Sequence, residues 1–80
     1  MKIKILYFAH LKSITQKDHE ILHLSEPMTL LKLHHILKQK YPNFLEPKHL
    51  AIAVNETYAE FKIGLKEGDT VCFIPPVAGG

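Results

Sequence analysis

Eighty residues make one small domain, which buries only about 60% of its unfolded surface and so has a modest core. Apolar residues make up 46% of the chain, a composition that excludes disorder and favours a folded globule. The formal charge of +2 arises from dispersed lysines, not from the basic, aromatic-interleaved stripe of a nucleic-acid binder. The single cysteine excludes an intramolecular disulfide or redox pair.

The N-terminal apolar run, Ile5 to Ala9, falls short of the ~7–15 residues of a signal-peptide core and is closed by His10 and Lys12. No stretch approaches the ~20 apolar residues of a membrane span. A reduced, cytoplasmic protein with neither a membrane nor a nucleic acid as partner is the expectation.

Lys2 to Phe8 alternates and then turns apolar, which predicts a strand with Ile3, Ile5 and Tyr7 on one face and Lys2, Lys4, Leu6 and Phe8 on the other. Leu11 to Asp18 reads as a polar connection, and Glu20 to Leu24 as a second strand completing an antiparallel hairpin. After Pro27, Thr29 is placed to cap a helix. The spacing of Leu30, Leu33, Leu37 and Tyr41 gives that helix one apolar face, and Pro42 ends it. Asn43 to His49 reads as a loop.

Leu50 to Val54 is the next strand; Asn55-Glu56 turns it into a short pairing at Thr57 to Ala59. Glu67-Gly68-Asp69 signals another turn before the last strand, Thr70 to Ile74, which Pro75-Pro76 must stop. The order predicts a two-layer α+β domain, one helix packed on a mixed sheet, over residues 1–74. The sheet's second face has no layer to cover it, and alternation puts Leu6, Phe8, Cys72 and Ile74 there. An apolar patch on an open face marks a partner surface.

Residues 75–80 form the expected C-terminal tail, Pro75-Pro76-Val77-Ala78-Gly79-Gly80. The prolines project it in an extended conformation reaching about 20 Å at ~3.3 Å per residue. Terminal glycines let a backbone pass a narrow channel and approach a ligand closely. The functional group this pattern offers is the carboxylate of Gly80, inert until an activating enzyme makes it an acyl-adenylate.

His19-Glu20-Ile21-Leu22-His23 matches the H-E-x-x-H zinc pattern, which needs a helix to bring both histidines onto one metal. On a strand the same spacing separates the two Cα atoms by about 13 Å at ~3.3 Å per residue, so no metal site is expected. His34 reads as a packed helix histidine and Cys72 as a small apolar filler. Glu67 and Asp69 read as turn chemistry, not an acid/base pair.

The chain resembles the small, sulfur-carrier subunit of molybdopterin synthase. The likeness spans the whole chain and is carried by Ile5-Leu6-Tyr7-Phe8-Ala9, Ala53-Val54-Asn55-Glu56, Leu65-Lys66-Glu67-Gly68-Asp69 and, most specifically, Val71 to Gly80. The resemblance implies a ubiquitin-like β-grasp fold of four to five strands. It implies that Gly80 is adenylated by a ubiquitin-activating-like adenylyltransferase using ATP and converted to a thiocarboxylate through a sulfur donor system. The tail, Pro75, Pro76, Val77, Ala78 and Gly79, would insert into the large synthase subunit. Gly80 would there give sulfur to cyclic pyranopterin monophosphate, in a hetero-tetramer. The resemblance further implies no stably bound cofactor and no enzyme activity for the chain alone, which would be the sulfur-donor subunit of a sulfurtransferase. Phe8, Tyr58 and Ile74 map to the partner interface. Two further readings share the Gly-Gly end: a sulfur carrier for thiamine thiazole or another thiolated product, which usually lacks Pro-Pro, and a ubiquitin-like protein modifier.

Overall fold

The computed structural model describes residues 1–76. Five strands form one sheet: β1 (Lys2–Tyr7), β2 (His19–His23), β3 (Ala51–Val54), β4 (Thr57–Ala59) and β5 (Thr70–Ile74). Their spatial order is β2-β1-β5-β3-β4. Only β1 and β5 run parallel; the other neighbours are antiparallel, so the sheet is mixed. The main helix, α2 (Leu30–Lys40), packs on one face, giving the two-layer β-grasp arrangement that the resemblance implies.

Alternation along β1 decides which face is buried. Ile3, Ile5 and Tyr7 are inaccessible and meet Leu30, Leu33 and Leu37 of α2, together with Val71 and Phe73 of β5 and Phe44 beyond the helix. Helix α2 starts where predicted: the Thr29 hydroxyl accepts the Lys32 backbone N–H at 3.2 Å, satisfying one donor that the first turn leaves orphaned. It stops at Tyr41, whose φ of −126° and ψ of 91° are the extended dihedrals that Pro42 imposes on its predecessor. Lys38 and Lys40 lie in the last turn, where the helix dipole favours cations.

Three local features differ from the sequence expectation. Residues 11–18 are not merely a connection: α1 (His10–Thr15) forms there, with Leu11 fully buried. Thr15 returns its hydroxyl to the Leu11 carbonyl at 3.0 Å, and Gln16 closes the turn with φ of 60°. Six residues are too few to display helical periodicity, and the lysine and serine between Leu11 and Ile14 hide the apolar pair. Strand ends also shift: β2 begins at His19 and ends at His23, one residue earlier at each end than expected, β1 closes at Tyr7 rather than Phe8, and β3 opens at Ala51 rather than Leu50. The loop before β3 contains a 3₁₀ turn, Pro47–His49, with proline at the start, where its missing N–H costs nothing.

The β3–β4 hairpin turns through Asn55 and Glu56, whose φ angles are 51° and 70°, as a two-residue hairpin turn requires. Asn55 also ties the turn to β5: its Nδ2 donates to Asp69 Oδ1 and its Oδ1 accepts the Thr70 N–H, both at 2.9 Å. Asp69 accepts the Lys66 N–H at 2.8 Å through its other oxygen. Its buried carboxylate therefore organises the turn, as the Glu67-Gly68-Asp69 reading anticipated.

Candidate functional site: an open sheet face beside the C-terminal tail

Strand β5 is the middle strand, and the chain leaves its end toward the C-terminus. Ile74 pairs with Ala51 of β3; Pro75 is half-buried and Pro76 exposed. A shallow concavity of about 310 Å³ flanks this exit, with Lys48, His49 and Leu50 on one side and Ile74, Pro75 and Pro76 on the other. Neither proline can donate to a ladder, so pairing ends at Ile74. Val77, Ala78, Gly79 and Gly80 lie outside the described residues.

The face opposite α2 is set by register. Leu6 pairs with His19 and with Cys72, Cys72 with Ala53, and Ala53 with Tyr58. One row therefore crosses all five strands as His19, Leu6, Cys72, Ala53 and Tyr58. Ile74 and Ala51 form the next row toward the tail, on the side where Phe8 follows β1. Phe8 is 44% and Tyr58 77% exposed, while Ile74 is half-buried. The three residues assigned to the partner interface thus share the open face, with Ile74 at the root of the tail and Tyr58 on the edge strand β4. A concavity of about 480 Å³ on the same face runs from Leu6 and Phe8 past Cys72 and Ala53 to Asn55, Glu56 and Thr70.

Cys72 is half-buried on this face, and burial pushes its thiol pKa up. It is held as the neutral thiol, a weak nucleophile, consistent with its reading as an apolar filler. His34 is buried in α2, edge-on to Phe44 and Phe61, and its Nε2–H donates to the Leu45 carbonyl at 2.7 Å. It is a packed histidine serving the loop after the helix.

The H-E-x-x-H segment is a strand, as expected, with its two histidines and its glutamate on opposite faces. Glu20 points inward and is the residue that sequence reasoning missed. Its Oε1 accepts the Tyr7 hydroxyl at 2.8 Å and the Tyr41 hydroxyl at 2.9 Å. Its Oε2 accepts Lys17 Nζ at 3.2 Å and also Lys40 Nζ. Burial alone would raise the carboxyl pKa, but the combined donation by Lys40, Tyr7, Tyr41 and Lys17 outweighs it and draws the value down to about 2. Burial and the adjoining carboxylate push the Tyr7 hydroxyl pKa upward, so it remains a donor. This cluster joins β1, β2, the loop before β2 and the end of α2. The signal was present: an acidic residue in the register of Leu22 and Leu24 must find donors in the core.

Comparison with known proteins decides the family. The ThiS family model matches residues 5–80. The chain belongs to the ThiS family. Among the relatives of this ThiS-family chain is the molybdopterin synthase sulfur carrier subunit of Escherichia coli, 34% identical over 80 residues, covering 98% of this chain and 99% of the relative. A putative molybdopterin converting factor subunit 1 from Pyrococcus furiosus superposes with a TM-score of 0.84 at 29% identity, over 96% of this chain and 99% of that one. A chain of the complex of subunits 1 and 2 of molybdopterin-converting factor from Helicobacter pylori gives a TM-score of 0.72 at 26% identity, over 100% of both chains. The fold of the ThiS-family chain is accordingly ubiquitin-like β-grasp. No helix among its described residues is long and apolar enough to cross a membrane.

Proposed function

We propose that this chain is the sulfur carrier of molybdenum cofactor biosynthesis, the small subunit of a molybdopterin synthase. The observation that carries the reading is the conjunction of three features: full-length similarity to sulfur carrier subunits, a family match running through residue 80, and an uncovered apolar face at the root of the tail. The chain supplies a reactive terminus and a docking surface, and is not an enzyme alone.

In this reading the Gly80 carboxylate attacks the α-phosphorus of ATP on a ubiquitin-activating-like adenylyltransferase, releasing pyrophosphate. Sulfur from a donor system then displaces AMP at the acyl carbon and leaves a thiocarboxylate. Sulfur is the better nucleophile, so this exchange arms the terminus. The tail from Pro75 to Gly79 enters the large subunit, which supplies the surrounding side chains. There the thiocarboxylate sulfur bonds to a side-chain carbon of cyclic pyranopterin monophosphate as a carbon–oxygen bond at that carbon breaks and the oxygen leaves. Hydrolysis of the resulting thioester returns Gly80 to its carboxylate, and a second carrier repeats the delivery to complete the dithiolene. Phe8, Tyr58 and Ile74 seat the domain on the large subunit, in a hetero-tetramer of two small and two large chains. ATP is consumed by the activating enzyme; the carrier itself holds no cofactor.

The test is reconstitution. Carrier in the thiocarboxylate form, mixed with a molybdopterin synthase large subunit and cyclic pyranopterin monophosphate, yields the dithiolene pterin; carrier lacking Gly79 and Gly80 yields none. Product formation by the truncated chain would refute the role of the terminus. If the armed full chain makes no pterin product but feeds thiazole formation, the thiamine reading takes its place; ladders of lysine conjugates in cells would favour a protein modifier.

A further inference from the structure

The carrier reading leaves one feature unused: the histidine pair of the H-E-x-x-H segment. Both lie on β2, which forms one edge of the sheet, at the far side from Tyr58. Within one chain they cannot share a metal, and among the described residues no group of three metal-ligating side chains is close enough to hold one.

The backbone of β2 shows which of its groups face outward. Met1 and Leu24 exchange two hydrogen bonds, each 2.6 Å, so they are a hydrogen-bonded pair of the antiparallel ladder. Such pairs alternate along a ladder, which makes Ile3 with Leu22 and Ile5 with Glu20 the next two. The Tyr7 N–H donating to the Asp18 carbonyl at 2.9 Å agrees with this phase. The N–H and C=O groups of Glu20 and Leu22 therefore point to β1. Those of His19, Ile21 and His23 point away from the sheet, and none bonds another segment among the described residues.

A second copy meeting this edge antiparallel must match outward residues with outward residues. The register using the whole strand centres on Ile21 and sets Ile21 against Ile21 of the other copy, and His19 against His23 on both sides. All of these side chains project from the open face. Ile21 is 46% exposed, an apolar β-branched residue suited to a cross-strand pair with its own copy. The pattern is self-complementary, as a two-fold interface requires.

Each facing histidine pair has Cα atoms about 5.5 Å apart, within which two imidazoles converge on one ion at the ~2.0–2.1 Å of a zinc–nitrogen bond. His19 is already oriented for that task. Its Nδ1 contacts Asp18 Oδ1 at 2.7 Å, so the ring donates there and leaves Nε2 free as a ligand. A carboxylate behind a ligating histidine is the usual second partner at zinc sites.

We propose that two copies of this chain pair through β2 and bind two zinc ions, each held by His19 of one copy and His23 of the other, with water completing the coordination. The metal-free edge is held only by five-residue strand pairing; the ions lock it. This assembly does not depend on the sulfur-carrier reading.

The test is the solution mass of the full-length chain at pH 7.5 with zinc chloride, against the same sample with a chelator. Zinc doubles the mass from the 9.2 kDa of one chain, and the chelator restores it. His19→Ala and His23→Ala each remain single chains with zinc, since every site in either homodimer lacks one histidine. Mixed together they dimerise again, because one of the two sites then has both. His10→Ala, a surface histidine off the edge, dimerises as the parent does. Zinc binding without a mass change, dimers of either single variant as strong as the parent's, or a mixture that stays as single chains would each overturn the proposal. Circular dichroism of the variants distinguishes these outcomes from unfolding.

Discussion

Replacing Glu20 by Gln keeps the side chain's size and an acceptor for the two tyrosine hydroxyls but removes the charge that Lys17 and Lys40 neutralise. The pKa of Glu20 falls from the ordinary 4.5 to about 2 on folding, a difference worth about 3 kcal/mol. The side chain is only 7% exposed, so solvent screens little of this. Because the folded value is the lower one, the stabilisation is fully present above the unfolded value near 4.5. It is lost as pH falls through 4.5 toward 2. The variant should therefore be less stable than the parent at pH 7 by about 3 kcal/mol, or roughly 12–24 °C in Tm for a domain of this size. Urea denaturation followed by circular dichroism, repeated from pH 7 to pH 2, measures both terms. The two proteins should converge as pH approaches 2, since the parent's carboxyl is then becoming protonated. A stability gap that stays constant across this range, or a gap below 0.5 kcal/mol at pH 7 (about the noise of a surface substitution), would refute the assignment of the cluster.

Three other perturbations separate structural from functional roles. His34→Leu leaves the Leu45 carbonyl without its donor and costs about 1–3 kcal/mol in chemical denaturation, despite the gain in apolar surface. Glu56→Gly relieves a left-handed residue, φ 70°, and should raise stability by up to about 1 kcal/mol, seen as a Tm increase. Tyr58→Ala, at a side chain 77% exposed, should leave the melting curve within about 0.5 kcal/mol of the parent. The same change should weaken capture by a molybdopterin synthase large subunit; unchanged affinity would remove Tyr58 from the interface.

What could be read from the sequence follows the length over which a physical pattern repeats. The alternation of Ile3, Ile5 and Tyr7, and the helical spacing of Leu30, Leu33 and Leu37, are long enough to reveal both face and element type, and the structure buries all six. The open face followed from the same alternation, which placed Phe8 and Ile74 correctly; Tyr58 came from family likeness and falls on that face by its register with Ala53. Helix α1 escaped notice because it is a turn and a half long, and its stability comes from burying Leu11 rather than from local propensity. The Glu20 cluster gathers residues 7, 17, 20, 40 and 41. Its members meet only when β2 and the end of α2 are brought together, a proximity no local pattern encodes. The tail is the reverse case: the chemistry proposed for it is read from the residue types of Pro75 to Gly80 alone.

The measurement that bears most directly on the carrier role is the intact mass of the chain after co-production with its activating enzyme and a sulfur source. The account predicts a species heavier by the difference between sulfur and oxygen, with the change confined to the C-terminal peptide containing Gly80. A chain that supports molybdopterin formation in the same extract while its C-terminal mass stays that of the plain carboxylate would contradict it.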